Sequence, residues 1–210
     1  MPPADVPPVG ARIRQARQER GVSLRALARE VGVSASLVSQ IETGKSQPSV
    51  STLYALTTAL GISVESLFEP GEAAVAAGGT TVAHALAAFA ADPVGRLGPL
   101  ITPGERDVLE LDSGVVWERL GHVPGTDVDF LLVTYRPGGS SSGSGALMRH
   151  TGTEYGYLLS GELVLTLGFD KSVLRPGDAV CFESTTPHRY RNDGTEPAVG
   201  VWFVSGQSVQ

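Results

Sequence analysis

Apolar residues recur every three to four positions between residues 11 and 68, and every second position after Pro99. A helix face and a half-buried strand need those two different periods, so one layer type cannot serve the whole chain. The expected architecture is two domains, an all-α unit followed by an all-β unit. In the amino-terminal part Leu24, Leu27, Ala28 and Val31 form one buried stripe, with Ser23 as N-cap and Val22 placed to staple against Leu27. Val33, Ser34 and Val38 repeat the device after Gly32. Ser49 starts a further helix whose Leu53, Leu56 and Leu60 face inward, and Val64, Leu67 and Phe68 close the unit. Five short helices are predicted. Residues 70–98 turn to Ala, Gly, Thr and Pro and read as a linker, with an alanine-rich helix predicted over 81–91 and His84 facing water on it. Beyond it, turn signals such as Pro137-Gly138-Gly139, Ser160-Gly161, Pro176-Gly177 and Asn192-Asp193-Gly194 separate short strands, as in a sandwich or barrel.

Charge is divided in the same way. The net charge of -6 hides an amino-terminal stretch, residues 1–67, with seven Lys/Arg against five Asp/Glu, net +2. The remainder has nine against seventeen, net -8. A basic module can approach phosphate while the acidic part stays in solvent. No apolar run approaches the roughly 20 residues of a membrane span, and the first ten residues lack the basic and apolar segments of a secretory signal. A soluble, cytoplasmic protein without membrane contact is expected. Cys181 is the only cysteine, which excludes an internal disulfide and is read as buried strand packing.

Two capped helices around the turn at Gly32 have the organisation of a helix-turn-helix, whose second helix enters the major groove. In "SASLVSQIETG" Leu37, Val38 and Ile41 pack inward, leaving Ser34, Ala35, Ser36, Ser39 and Gln40 on the leading face. The Gln40 amide can pair with adenine at two points, and the serines suit bases or phosphates. Arg25 and Lys45 suit phosphate contacts that fix orientation. The frame "LA..VGVS...VSQIE.GK..PS...L..L...LG" resembles the lambda-repressor-like (Xre-type) helix-turn-helix family over residues 9–69. Leu24 departs from it, because many members have glutamine there.

The second part resembles the cupin superfamily, a double-stranded β-helix or jelly-roll barrel, over residues 99–207. His150, Glu154 and Gly161 fit its first motif, and Gly177, His188 and Asn192 its second. The resemblance implies that His150, Glu154 and His188 hold one divalent transition metal, Fe, Ni, Mn or Zn, with open positions for other donors. Met148 replaces a further family histidine, so three strong ligands remain rather than four, and the site can also be empty. Met148, Tyr157, Phe182 and Trp202 are expected to line a ligand pocket; Trp117 and Tyr155 are further aromatic candidates. Arg149 and Arg189 should face away from it. Fusion of an Xre-type reader to a cupin implies a non-enzymatic, sequence-specific transcriptional regulator that binds double-stranded operator DNA as a homodimer and senses a small-molecule effector. Two alternatives stay open. One is a mononuclear non-haem iron enzyme of oxygenase or epoxidase type with a vestigial helix-turn-helix domain, and the other is a polar cluster that serves structure alone.

Overall fold

A computed structural model describes residues 9–68, 100–123, 126 and 128–206. The predicted helix over 81–91 and His84 lie outside those residues. Four α-helices make the first unit: α1 (Val9–Glu19), α2 (Leu24–Val31), α3 (Ala35–Glu42) and α4 (Val50–Leu60). The serine caps are in place. Ser23 accepts from the Ala26 amide, Ser34 from Leu37 and Ser49 from Thr52, each satisfying an amide that the first helical turn leaves free. Gly32 ends α2 in the left-handed region, with its amide donating to the Ala28 carbonyl. Ile13, Leu27, Val38, Ile41, Leu53, Leu56 and Leu60 are fully buried between the helices.

The fifth helix is shorter than predicted. Among the described residues of this unit, a single 3-10 turn, Glu65–Leu67, follows α4. Ser63 caps the Ser66 amide at 3.1 Å while the Ser66 hydroxyl donates back to the Ser63 carbonyl at 2.6 Å. These local bonds compete with the helical ladder, and Pro70 stands three residues after Leu67.

Among the described residues the second unit holds nine strands: β1 (Val108–Leu111), β2 (Val115–Gly121), β3 (Val128–Tyr135), β4 (Thr153–Ser160), β5 (Leu163–Leu167), β6 (Asp170–Leu174), β7 (Ala179–Glu183), β8 (His188–Arg191) and β9 (Ala198–Ser205). They form a six-stranded antiparallel sheet, in the order β1-β2-β3-β9-β4-β7, and a three-stranded one, β6-β5-β8. Among the described residues no named strand of one sheet pairs with a named strand of the other, so the barrel expected from the resemblance is realised as two facing sheets rather than as a closed ladder. Alternation decides what lies between them. Leu131, Val133 and Tyr135 of β3 and Trp202 and Val204 of β9 point inward.

The two units share one buried core. The Asp112 amide donates to the Pro48 carbonyl and the Ser51 amide to the Ser141 carbonyl, both at 2.9 Å, which ties the start of α4 to loops of the β unit. Further along, the Arg119 guanidinium lies 5.2 Å from the centre of the Phe68 ring. Val50 and Tyr54, one turn apart on α4, face the space between the sheets.

Candidate metal centre and nucleic-acid interface

On α3 the exposed side chains are Ser36 and Gln40, with the cap Ser34 before them and Lys45 just after; Arg25 is exposed on α2. Ala35 and Ser39 are half-buried on the same edge. Glu42, the one acid of α3, is turned inward. Its carboxylate meets Arg17 of α1 at 2.6 and 2.9 Å, and this hydrogen bond, offset in part by burial and aided by the Glu42 charge, holds the guanidinium above its ordinary pKa. The exposed edge of α3 therefore carries no acidic side chain.

The candidate metal ligands come together at the inner end of the β unit. Glu154 lies on β4 with its side chain 3% exposed, and His188 opens β8 with its side chain fully buried. His150 precedes β4 rather than belonging to it, because the chain bends at Thr151-Gly152. Gly152 has φ +101°, and a Cβ there would stand 2.4 Å from the Ser205 carbonyl oxygen, so only glycine lets the bend pass this close to β9. The His150 amide is held by the Ser184 carbonyl, and Met148 exchanges both main-chain bonds with His188. The ligand segment is thus anchored by backbone.

Donor chemistry shows what this arrangement lacks. His150 Nδ1 lies 3.0 Å from the Thr151 carbonyl oxygen and His188 Nδ1 2.8 Å from that of Thr186. Carbonyls only accept, so each Nδ1 donates its proton there and each Nε2 is left to face inward, as an acceptor wherever the ring carries no second proton. Those Nε2 atoms lie 2.8 and 3.0 Å from the same atom, Glu154 Oε1, which is itself an acceptor. His188 Nε2 has no hydrogen-bond partner of acceptable geometry. Acceptors converging on one buried point call for a cation between them, either protons on the rings or a metal ion. The three ligand atoms lie within 4.8 Å of one another, and the set of two imidazoles and a carboxylate fits a divalent transition metal. Burial raises the Glu154 carboxyl pKa, but the close approach of both imidazoles, with the hydrogen bond from His150 and the charge of the two rings, outweighs it and holds the group at about 2. Tyr190 donates to Glu154 Oε2 at 3.2 Å, and burial with the Glu154 charge pushes the Tyr190 phenol well up, so it remains a donor.

A small pocket adjoins the triad at Glu154. Met148 and Trp202 line it, together with Trp117, Tyr190 and Glu154. Tyr157 does not. It is 48% exposed, because Glu154 faces inward and a residue three positions along a strand must face outward. Tyr155 is outside for the same reason. Phe182 is half-buried and touches the His188 ring edge-on, with centroids 5.0 Å apart, but does not border the cavity. Cys181 is exposed rather than buried, since its neighbour Phe182 takes the inner face of β7. Arg149 is exposed, and Arg189 donates to the Gly145 carbonyl, away from the triad. Asn192, fully buried, ties the Tyr135 and Glu196 carbonyls to the Gly194 amide, which makes it a turn brace. Trp202 reaches the cavity because it lies over Gly200 and Gly156, where a Cβ would approach the indole to 2.5 and 3.0 Å.

Tyr190 and Tyr54 are among the pocket residues that were not anticipated from sequence. Tyr190 stands two positions after His188 and shares its face, which strand period alone could have indicated. Tyr54 comes from the helical unit. Its only sequence signal is that Val50 and Tyr54 widen the apolar arc of α4 beyond the Leu53, Leu56 and Leu60 stripe.

Residues 13–67 match the family model described as "Helix-turn-helix" and residues 131–204 the one described as "Cupin domain". The HTH-type transcriptional regulator DdrOP3 of Deinococcus deserti is 36% identical over 92 residues, which are 44% of this chain and 70% of that protein. The chain belongs to the Xre-type helix-turn-helix regulators that carry a cupin domain. This Xre-type chain is also 28% identical to the HTH-type transcriptional regulator PuuR of Escherichia coli K12, over 87% of its own length and 86% of PuuR. A crystal structure of an HTH_3 family transcriptional regulator from Vibrio cholerae, 22% identical, superposes with a TM-score of 0.60 and covers 94% of both chains, which shows the same fold. No helix among the described residues of the Xre-type chain is long and apolar enough to cross a membrane.

Proposed function

We propose that this protein is a cytoplasmic transcriptional regulator that reads operator DNA with α3 and binds a small-molecule effector, together with a divalent transition metal, in its cupin domain. The observation that carries the reading is the open edge of α3: Ser36 and Gln40 project free of the protein, flanked by Arg25 and Lys45, while Glu42 is neutralised inside. Gln40 supplies base discrimination, the serines bases or phosphates, and the two cations orientation. The DNA-binding unit is taken as 9–69, the linker as 70–98 and the sensing unit as 99–207. A gel-shift assay on the DNA upstream of its own and adjacent genes tests the reading. Gln40→Ala should lose sequence preference at little cost to non-specific binding, whereas Arg25→Ala should weaken all sequences alike and reduce the salt slope by about 1. Absence of any retained duplex would overturn it.

In the cupin domain His150, Glu154 and His188 would hold the metal. Once bound, such an ion supplies a positive centre with open positions for a donor atom of the effector. The chain's own residues do the rest: Nδ1 bonds to Thr151 and Thr186 orient the imidazoles, and Tyr190 orients the carboxylate. The apolar, largely aromatic lining suits a small effector that buries hydrocarbon or ring surface. A homodimer belongs to this reading, since one reading helix spans few base pairs and a two-fold pair gains affinity and specificity. The outer face of the larger sheet, where Phe130, Phe203 and Tyr155 form a cross-strand row, is an apolar surface that a second copy would bury. Exposed Cys181, paired in register with Tyr155, reports on it: its alkylation should slow as protein concentration rises through dimer formation. The same His-Glu-His set also favours a second reading, a non-haem iron enzyme; dioxygen consumption with Fe(II) and candidate substrates, in excess of one turnover, would select it.

A further inference from the structure

The β unit does not wall its pocket alone. Tyr54, on α4 of the DNA-binding unit and 4% exposed, lays its ring flat on the His150 imidazole, with centroids 4.0 Å apart and planes within 4°. Its edge meets Trp117 at 5.8 Å. One turn earlier Val50 borders the same cavity, and between them the Ser51 amide is bound to the Ser141 carbonyl. The bundle's own packing is served by Leu53, Leu56 and Leu60, which lie on another side of α4 and are fully buried there. We propose that Tyr54 is a wall and positioning residue of the cupin metal and ligand site, through which occupancy of that site is felt by the DNA-reading helices.

The geometry leaves His150 little freedom of its own. Its hydrogen bonds to the Thr151 carbonyl and to Glu154 run from ring nitrogens and so fix it within the ring plane. Tyr54 fixes it along the perpendicular. An ion held by His150, Glu154 and His188 would act directly on the His150 ring, and a ring stacked on it at 4.0 Å would follow any change in its aim or lose contact. An effector too large for the cavity has the same consequence, because Val50 and Tyr54 are the part of the wall that belongs to another unit. Movement of α4 does not stay local. It packs against α1 and α2, and α2 leads through the Gly32 turn into α3. Coupling of this kind is reciprocal, so duplex DNA must alter affinity at the triad by the factor that the triad's occupant alters affinity for DNA.

This inference rests on the regulator reading above, and its test separates the two. The full chain is titrated with Zn²⁺ by calorimetry while hydrogen exchange is followed in α4, for wild type, Tyr54→Phe and Tyr54→Leu, with circular dichroism as the check of fold. Zn²⁺ should slow exchange of the α4 amides, which contain no ligand, in wild type and in Tyr54→Phe. Tyr54→Leu, which keeps apolar bulk but not the stacked ring, should bind Zn²⁺ about two- to tenfold more weakly and lose the α4 response. A wild-type α4 indifferent to bound Zn²⁺ overturns the inference whatever the variants do, even where Tyr54→Leu fails to fold. So does a folded Tyr54→Leu that matches wild type in both readouts. Wild type that binds no Zn²⁺ overturns it together with the metal, while duplex retention in the gel shift would still uphold DNA reading.

Discussion

Replacing Glu42 by alanine should damage the helical unit more than any change on its exposed face. The Glu42 side chain is 3% exposed and meets Arg17 Nε and Nη2 at 2.6 and 2.9 Å, while Arg17 Nη1 donates to the Val22 carbonyl at 3.0 Å. Alanine leaves a guanidinium, 12% exposed, with one of its three bonds. Stripping one partner from a buried pair costs about 3–5 kcal/mol. Arg17 keeps Val22 and some water, so the lower end, about 3 kcal/mol, is expected. A unit of about sixty residues has roughly 3–9 kcal/mol in all, so the loss is a third of its stability or more. At about 4–8 °C per kcal/mol, the melting temperature should fall by roughly 12–24 °C. Urea unfolding of the full chain, followed by far-ultraviolet circular dichroism, measures the change. Removing both charges, Arg17→Met with Glu42→Leu, should recover stability to within about 1 kcal/mol of wild type, since no stranded charge is left. The reasoning fails if Glu42→Ala costs under about 1 kcal/mol, or if the double variant is no better than the single one.

Gly152→Ala sets a Cβ against the Ser205 carbonyl at a positive φ; it should cost about 2–3 kcal/mol by thermal unfolding and weaken Zn²⁺ binding because His150 shifts with the bend. Gly200→Ala pushes on the Trp202 indole and should destabilise by about 1–3 kcal/mol, with an altered tryptophan emission. Without metal, the Glu154 carboxyl, held at about 2 against an ordinary 4.5, stabilises the fold fully above about pH 4.5 and loses that contribution as pH falls toward 2. Acid unfolding of Glu154→Gln should therefore be flatter than wild type across that window.

Local signals were the most legible. Ser23, Ser34 and Ser49 each stand one residue before an apolar stripe, and all three cap as that position requires. The resemblance to the cupin motifs brought His150, Glu154 and His188 forward together, but it does not report the local path: His150 reaches Glu154 around a bend at Gly152, not along a continuous strand. Face parity was available and unused for Tyr157 and Cys181, since placing Glu154 and Phe182 inside sends both out. Tyr54 was out of reach. Its partner His150 lies 96 positions away in a unit of another class, and no local period reports which foreign surface an apolar helix residue will meet. The fifth helix was overstated because two serines can close a single turn on themselves.

The pair of amide-to-carbonyl bonds between Pro48 and Asp112 and between Ser51 and Ser141 joins the units through main-chain atoms, which every residue but proline supplies in full. Point mutation of side chains therefore cannot sever this seam cleanly, but truncation can. A fragment ending before the β unit would bare Val50, Tyr54 and Phe68 to water and leave the Ser51 amide and the Pro48 carbonyl to solvent, so the helical reader is poorly suited to work as a detached module.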